Sequence, residues 1–527
     1  MVLDKVKARL VFGGHRSVPG RDHHEVAAYT SSAKTVRLLL ALAAASDHDV
    51  ISYDIANAFV QSSIEDGEPD KYMELPELLG QGGVNAPHEY DGCGRGKCKS
   101  HVAKLKKYLY GTPEAARKWQ QMLDAFFRSI GAVPLVTDRA TYKWQWKDAR
   151  GKKHVMRVAT HVDDLICSVS SKAIKEEFGR RLREFFGKDS VTGGDEVDYV
   201  LGMKIDRDRE KRTLKISQGG FVRKVLESFG VPENTKPVAS PLPHDAKLKR
   251  WEGEATDREI FDYMRFVGCM QWLVMSTRPD LAQATGVLAR YTNNPGPDHV
   301  EAAYHVLKYL CGTPDLGITY YGSSGVLGKG YDHRNKMIAS ADADLGGCLD
   351  TQKSTTGYVI MVNGGAVAWR SKKQTTVCLC TMRSEMEAVA SLGEQIVWMR
   401  DLMGEFGFRQ GCVRVLEDNS GCVYTAHGQK DSARTAAYKR THMYVEGLCG
   451  GGVMWLDDVA GKENWADIFT KGACGQLPGV QFAKLRDIVM GVNPELHLSR
   501  TVMDMMANKE YTANALLLRS RRLMDEL

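Results

Sequence analysis

The stretch ATHVDDLICSV, residues 159–169, sets two aspartates side by side in a run that otherwise has the make-up of a buried strand. Val158, Ala159, Val162, Leu165, Ile166 and Val169 are apolar and partly β-branched, which suits two short strands. Adjacent carboxylates repel, and a buried one without a partner is costly, so Asp163 and Asp164 leave the chain few solutions. Either the pair sits at a solvated hairpin tip, where Asp is favoured for its local hydrogen bonds, or a cation gathers around it. Both solutions put a tight turn between two strands.

A chain of 527 residues is too long for one compact core, and roughly three to four domains suit its length. Up to about residue 230, strand-like and helix-like stretches alternate. SAKTVRLLLALAAA (32–45) is helical, DVISYDIANAFV (49–60) is strand-like, and PEAARKWQQMLDAFFRSIG (113–131) is an amphipathic helix closed by glycine. YVLGMKIDRD and RTLKISQGGFVRKVLESFG then give two strands and a helix. Pro232, Pro237, Pro241 and Pro243 crowd the next stretch, a linker, because proline blocks helix interiors and sheet ladders alike. Residues 258–311 read as three helices broken at STRPD and NNPGPD. From about 336, three strands precede a long helix from Met382 to about Phe406, and strands and helices then alternate to NWADIFTK. That order argues a mixed sheet with helices packed on it.

Composition excludes several classes. A hydrophobic share of 43% and a charged share of 26% are those of soluble globular proteins. The longest apolar run, LLLALAAA (38–45), falls far short of the ~18 residues of a membrane span. Asp4, Lys5, Lys7 and Arg9 with no apolar segment behind them argue against a secretory signal, so an intracellular, cytoplasmic protein without membrane contact is expected. Twelve cysteines are too dilute for a disulfide scaffold. CGRGKC (93–98) with His101 is half a zinc site or a Gly-rich loop. The net charge of +6 permits a nucleic-acid partner without demanding one, and KLKK (104–107) and SKKQ (371–374) are local basic clusters or solvated faces. No G-x-x-x-x-G-K-[ST] phosphate loop is present.

Two sets of carboxylates are candidates to converge. Asp54 lies in a strand pattern, and if that strand neighbours the hairpin, Asp54, Asp163 and Asp164 make an oxygen-rich cage suited to Mg²⁺. Farther on stand Asp342, Glu385, Asp418 and Asp467, each with apolar neighbours that put it on a partly buried element. The alternative for this second set is ordinary caps and helix faces, Asp418 being a reasonable N-cap.

These segments, in this order, resemble the pol polyprotein of copia-type retrotransposons over nearly the whole chain. SYDIANAFVQSSIEDGEPDKYMELPE is similar to that family's stretch around the first polymerase aspartate, LKKYLYGTPEAARKW to LKKSLYGLKQAPRAW, and HVDDLICSV to YVDDMLI. YVLGMKI, SPLP, VGCMQWLVMSTRPDLAQATGVLARY, KSTTGYV, WRSKKQTTV and ENWADIFTK follow in family order. The resemblance implies a multidomain α+β chain. A reverse transcriptase of fingers, palm and thumb, its fingers truncated at the N-terminus, would occupy 1–230, with a Pro-rich linker at 231–257. A helical connection at 258–335, a ribonuclease H-like α/β domain with a mixed sheet at 336–475 and a C-terminal tail at 476–527 would follow.

The same resemblance assigns roles. Asp54 and Asp163 would be the main polymerase metal ligands with Asp164 alongside, Phe59 would lie under the deoxyribose and exclude a 2′-hydroxyl, and Glu114 and Arg117 would stand near the incoming triphosphate. Asp342, Glu385, Asp418 and Asp467 would hold the ribonuclease H metal, with Asp342 taken over Asp344 and Glu385 over Glu387 on family position. Mg²⁺ is the implied cofactor, with Mn²⁺ as a substitute. RNA template, DNA primer, RNA–DNA hybrid and deoxynucleoside triphosphates are the implied partners, together with the rest of a polyprotein or a capsid particle. Virus-like particles in the cytoplasm are the implied setting, with nuclear entry open.

Departures qualify this. The resemblance begins inside the fingers at KARLVFGG, His161 replaces the usual aromatic, Glu114 the usual Gln and Ala116 the usual Pro. Glu114 adds negative charge where a triphosphate would lie. A decayed copy that binds hybrid without polymerase activity therefore stands as the alternative.

Overall fold

The structure, a computed structural model, describes residues 10–65, 67–74, 102–243, 246–323, 334–428, 438–471 and 477–492. CGRGKC and His101 lie outside the described residues. The chain forms two compact units, one of residues 1–31 and 51–195 and one of 32–50 and 196–527. No described helix is long and apolar enough to cross a membrane.

The first unit is built on a six-stranded sheet. Its strands lie in the spatial order Val133–Pro134, Thr141–Lys147, Lys153–His161, Asp164–Val169, Asp49–Ile55 and Val191–Glu196. Helices Ala115–Ser129 and Lys172–Phe186 supply the other half of an aromatic-rich core. Trp119, Leu123, Phe126 and Phe127 recur at helical spacing and meet Phe178, Tyr142 and Trp144. Gly179 is required there, because a Cβ would lie 2.8 Å from the Tyr53 hydroxyl. Residues 49–60 do not continue as one strand. The strand ends at Ile55, Asn57 turns left-handed at φ 55°, and Ala58–Gln61 form a short helix. Asn tolerates that conformation better than its neighbours, so it is where the extended run breaks.

In the second unit, Ser32 caps the helix Ala33–Ser46 by accepting the Thr35 N–H. This helix is buried on every side from Val36 to Ala44, Arg37 included. The strands Tyr199–Val200, Met203–Asp208, Thr213–Ser217 and Gly317–Tyr321 form an antiparallel sheet of four. Thr213 pairs Tyr321 and Ser217 pairs Gly317, so strands from either side of the proline stretch belong to one sheet. The division between the two compact units falls at 195/196. Helices Asp257–Ser276, Ala282–Leu288 and Pro297–Gly312 stand where the breaks at STRPD and NNPGPD put them. STRPD itself is a buried staple: Arg278 and Asp280 form a bidentate pair, with the Tyr309 hydroxyl 2.8 Å from Asp280 and the Thr313 carbonyl 2.9 Å from Arg278.

The second sheet of this unit has five strands in the order Gly365–Lys373, Thr355–Val362, Met337–Ala343, Val413–Glu417, Met454–Asp458. Counted along the chain that is 3-2-1-4-5, the first three antiparallel and the last two parallel to the first. The central strand Met337–Ala343 is buried along its whole length, as parallel pairing under helices requires. The 26-residue helix Thr381–Phe406 packs on this sheet and is closed by Gly407 at φ 100°. Beyond it, NWADIFTK forms only a short 3-10 helix, Trp465–Phe469, and a further helix, Gly479–Val489, follows inside the stretch expected to be a tail.

Candidate functional site

Among the described residues, the hairpin aspartates stand in the first unit and a tight group of carboxylates in the second. In the first unit, Lys153–His161 and Asp164–Val169 pair antiparallel with His161 opposite Asp164, leaving Val162 and Asp163 as a two-residue turn. Val162 takes φ 57°, a conformation that hairpins normally give to glycine. The Trp119 indole donates to the Val162 carbonyl at 2.6 Å, and the N–H of Ile55 donates to the Asp163 carbonyl at 3.3 Å. The second contact brings Asp54 beside the turn. Burial first, then the charges of Asp163 and Asp54, push the Asp164 carboxyl above the usual range, while His161 opposes them. The three aspartates therefore share one electrostatic neighbourhood, with Asp54 on its exposed side.

Around this hairpin the remaining candidates sit differently. Phe59 is half-buried on the short helix and meets Tyr110 edge to face, 5.0 Å between centroids. Glu114 is buried and lies 2.9 Å from the Lys71 ammonium, which also donates to the Asp22 carbonyl at 3.0 Å. Its charge is thus met by a lysine. Arg117 pairs with Glu25.

In the second unit the carboxylates draw together. Pairing of Ser340 with Leu416 places Asp342 and Asp418 abreast two residues on, and the helix Thr381–Phe406 brings Glu385 to them. Among the described residues, Asp342, Glu385 and Asp418 form a group whose ligand atoms all lie within 4.8 Å of one another. Asp342 and Glu385 are buried. Asp467 joins through Lys471, whose ammonium lies 2.7 Å from Asp467, 2.9 Å from Asp342 and 3.6 Å from Asp418. Asn464 orients the group: its amide donates to the Ala341 carbonyl at 2.9 Å and to Asp418 at 3.1 Å. The Thr470 hydroxyl donates to Asp342.

The capping alternative for Asp418 falls to its neighbour, since Asn419 caps the helix Ser420–Ala426 by accepting the Cys422 N–H. Glu387 accepts from the Thr441 hydroxyl, leaving Glu385 as the helix glutamate in the cluster. Asp344 accepts the Thr355 N–H and so supports the adjoining strand.

Burial dominates the electrostatics here. It raises Asp342, and it pushes Glu385 well above the usual carboxylate range, helped by the charges of Glu417, Asp342 and Asp418. Asp467 is pushed up to about 8 by burial and by Asp342, against the pull of Lys471. Burial would lower Lys471, but its three carboxylates hold the ammonium above its usual range. Glu385 Oε2 is buried with no hydrogen-bond partner. An all-oxygen donor set with an orphaned buried oxygen fits a hard divalent cation. Three participants were not evident in the sequence. Lys471, Asn464 and Glu417 stand at Asp467+4, Asp467−3 and Asp418−1, and only the helical spacing of the first was a local signal.

Residues 1–243 match the family model for reverse transcriptase (RNA-dependent DNA polymerase). The chain is, more particularly, a relative of copia-type retrotransposon Pol polyproteins. It is 30% identical over 474 residues to the Pol polyprotein from transposon TNT 1-94 of Nicotiana tabacum, covering 89% of this chain and 33% of that one. It is 28% identical to the Pol polyprotein from transposon RE1 of Arabidopsis thaliana, covering 89% and 29%. The chain thus spans about a third of the length of these relatives. A solved structure of LC11-RNase H1 in complex with RNA/DNA hybrid is similar over 26% of this chain and 96% of its own, at 16% identity and a TM-score of 0.22.

Proposed function

We propose that this chain is an RNA-directed DNA polymerase with an associated ribonuclease H activity, its first unit carrying fingers and palm and its five-stranded sheet the ribonuclease. The observation that carries the nuclease reading is the convergence of Asp342, Glu385 and Asp418 within 4.8 Å at the end of a 3-2-1-4-5 sheet. The match of residues 1–243 to the reverse transcriptase family and the Asp163–Asp164 hairpin beside Asp54 support the polymerase reading.

Asp342, Glu385, Asp418 and Asp467 would hold Mg²⁺ or Mn²⁺ in one centre, and Asp54, Asp163 and Asp164 in the other. When bound, a pair of such ions lowers the pKa of the attacking water or hydroxyl and steadies the leaving oxygen. The chain's own residues do the positioning. Asn464 and Thr470 lock the oxygens of Asp418 and Asp342, and Trp119 and the Ile55 N–H hold the hairpin turn. Phe59, on its short helix beside Tyr110, would exclude a ribose 2′-hydroxyl from the deoxynucleotide site.

RNA template, DNA primer, hybrid duplex and deoxynucleoside triphosphates are the proposed ligands, bound largely through phosphates and hence with strong salt dependence. A capsid particle in the cytoplasm is the proposed setting. The Lys71–Glu114 pair removes one argument for a decayed copy, because the substituted glutamate is compensated.

Purified chain with Mg²⁺ or Mn²⁺ is expected to cleave the RNA strand of an RNA–DNA hybrid and to extend a DNA primer on RNA. Asp342→Asn or Glu385→Gln should remove cleavage alone, and Asp163→Asn extension alone. Cleavage surviving in both nuclease-site variants would return those carboxylates to a structural role.

A further inference from the structure

Lys471 puts an ammonium among three of the four carboxylates of the second cluster. Its Nζ lies 2.7 Å from Asp467, 2.9 Å from Asp342 Oδ1 and 3.6 Å from Asp418. The contact with Asp467 is a hydrogen bond, whereas Asp342 Oδ1 is buried and makes no hydrogen bond in spite of the nearby charge. Glu385 Oε2 is likewise buried without a partner. One positive charge thus serves a cluster of buried carboxylates and leaves lone pairs of Asp342 and Glu385 open, so it offsets their mutual repulsion only in part.

The chain holds this lysine by its backbone, since its N–H donates to the Asp467 carbonyl at 2.8 Å, just past the 3-10 helix Trp465–Phe469. Its side chain is 22% exposed, and a long flexible stem lets the ammonium leave the oxygens for water while the backbone stays in place. A divalent cation of the Mg²⁺ class takes carboxylate oxygens at about 2.1 Å, so one sharing Asp342 Oδ1 with Lys471 would stand within roughly 5 Å of the ammonium. At that separation two cations repel, and only one of them can hold these oxygens.

We propose that Lys471 is a tethered counter-cation: its ammonium holds Asp342, Asp418 and Asp467 together, and a divalent cation displaces it into solvent on binding. This role rests on the ribonuclease H reading of the cluster, and adds that the chain's own lysine competes with the metal and so sets how tightly the centre takes it. A lysine that only braces the site would stay in place when metal binds.

Amine acylation of the full chain without nucleic acid, read at Lys471 by mass spectrometry with and without Mn²⁺, tests this. Labelling of Lys471 should rise several-fold on adding Mn²⁺, labelling of the exposed Lys211 should not change, and Asp342→Asn should abolish the rise. Calorimetric titration supplies a second arm. Lys471→Met should bind Mn²⁺ several-fold more tightly than wild type while its Tm without added metal is lower, and Lys471→Arg, which keeps the charge, should stay nearer to wild type in both. A brace cannot give affinity and stability opposite signs. If wild type binds Mn²⁺ while labelling of Lys471 stays flat, the lysine is a brace and the proposal fails with the centre intact, a result that needs no variant to fold. If wild type does not bind Mn²⁺, or Asp342→Asn binds it as tightly as wild type, the metal-centre reading itself is wrong and the proposal falls with it.

Discussion

The indole nitrogen of Trp119 donates a 2.6 Å hydrogen bond to the carbonyl oxygen of Val162, the residue that holds φ 57° in the turn before Asp163. A β-branched residue rarely adopts that conformation, and its persistence here means the surroundings determine it. Trp119→Phe keeps most of the packing and removes the donor, so it is expected to cost about 1 kcal/mol and to slow primer extension more than it lowers Tm. Val162→Gly relieves roughly 1–2 kcal/mol of left-handed strain and should leave Tm unchanged or higher. A large fall in Tm for Val162→Gly would show that the side chain, 37% exposed, matters more than the turn.

The Lys71–Glu114 pair is buried on both sides, 2.9 Å apart. Removing one partner strands the other, which costs roughly 3–5 kcal/mol, whereas replacing both is far milder. Lys71→Met should therefore lower stability in urea sharply, and Lys71→Met with Glu114→Gln should recover most of it. Additive losses would mean that the two residues act independently.

His299 gives a pH dependence whose sign follows from its contacts. Its Nδ1 accepts the Gly296 N–H at 2.8 Å, its Nε2 faces the Lys249 carbonyl at 2.9 Å, and its ring stacks on Tyr291 at 3.9 Å. Only a neutral ring with the proton on Nε2 makes both hydrogen bonds, and burial lowers its pKa. A base lowered in the fold contributes stability that is full above its unfolded value, about 6.5, and is lost as pH falls through that value. The Tm difference between wild type and His299→Gln should shrink from pH 7.5 to about 5. A difference constant over that range would remove the assignment.

The helix Ala33–Ser46 is built into the same compact unit as the five-stranded sheet. Arg37 donates to the Val367 carbonyl at 2.9 Å and to that of Ser276 at 3.1 Å, and Asn363 donates to the Ala41 carbonyl at 2.8 Å. Leu38, Leu39, Leu40 and Leu42 are fully buried, and each such side chain stabilises by roughly 2 kcal/mol. A fragment of residues 196–492 should melt without cooperativity, and a peptide of residues 32–50 supplied in trans should restore a sharp transition. A sharp transition without the peptide would show that this helix is dispensable.

Much of this was legible in the sequence because it depends on local period. Alternation around Asp163 and Asp164 specified a hairpin with its turn at the aspartates, and the structure puts Val162 and Asp163 in that turn. Helical spacing from Met382 onward and the breaks at STRPD and NNPGPD fell where the elements end. The turn at Asn57 was missed, since an apolar run reading DVISYDIANAFV carries no glycine or proline to mark where the strand stops.

By itself, then, the sequence determined which segments are strands or helices, which faces are apolar, and where charge falls on a buried element, all of them properties of neighbours along the chain. Only the tertiary structure decided which partners those elements and charges meet. That LLLALAAA must be buried follows from its composition, but that Val367 lies over Arg37 does not. Likewise, Glu114 finds Lys71 and Asp342 finds Lys471 through strand register and helix packing over separations with no repeating signal. Local period encodes burial; compensation of a buried charge is settled where distant segments meet.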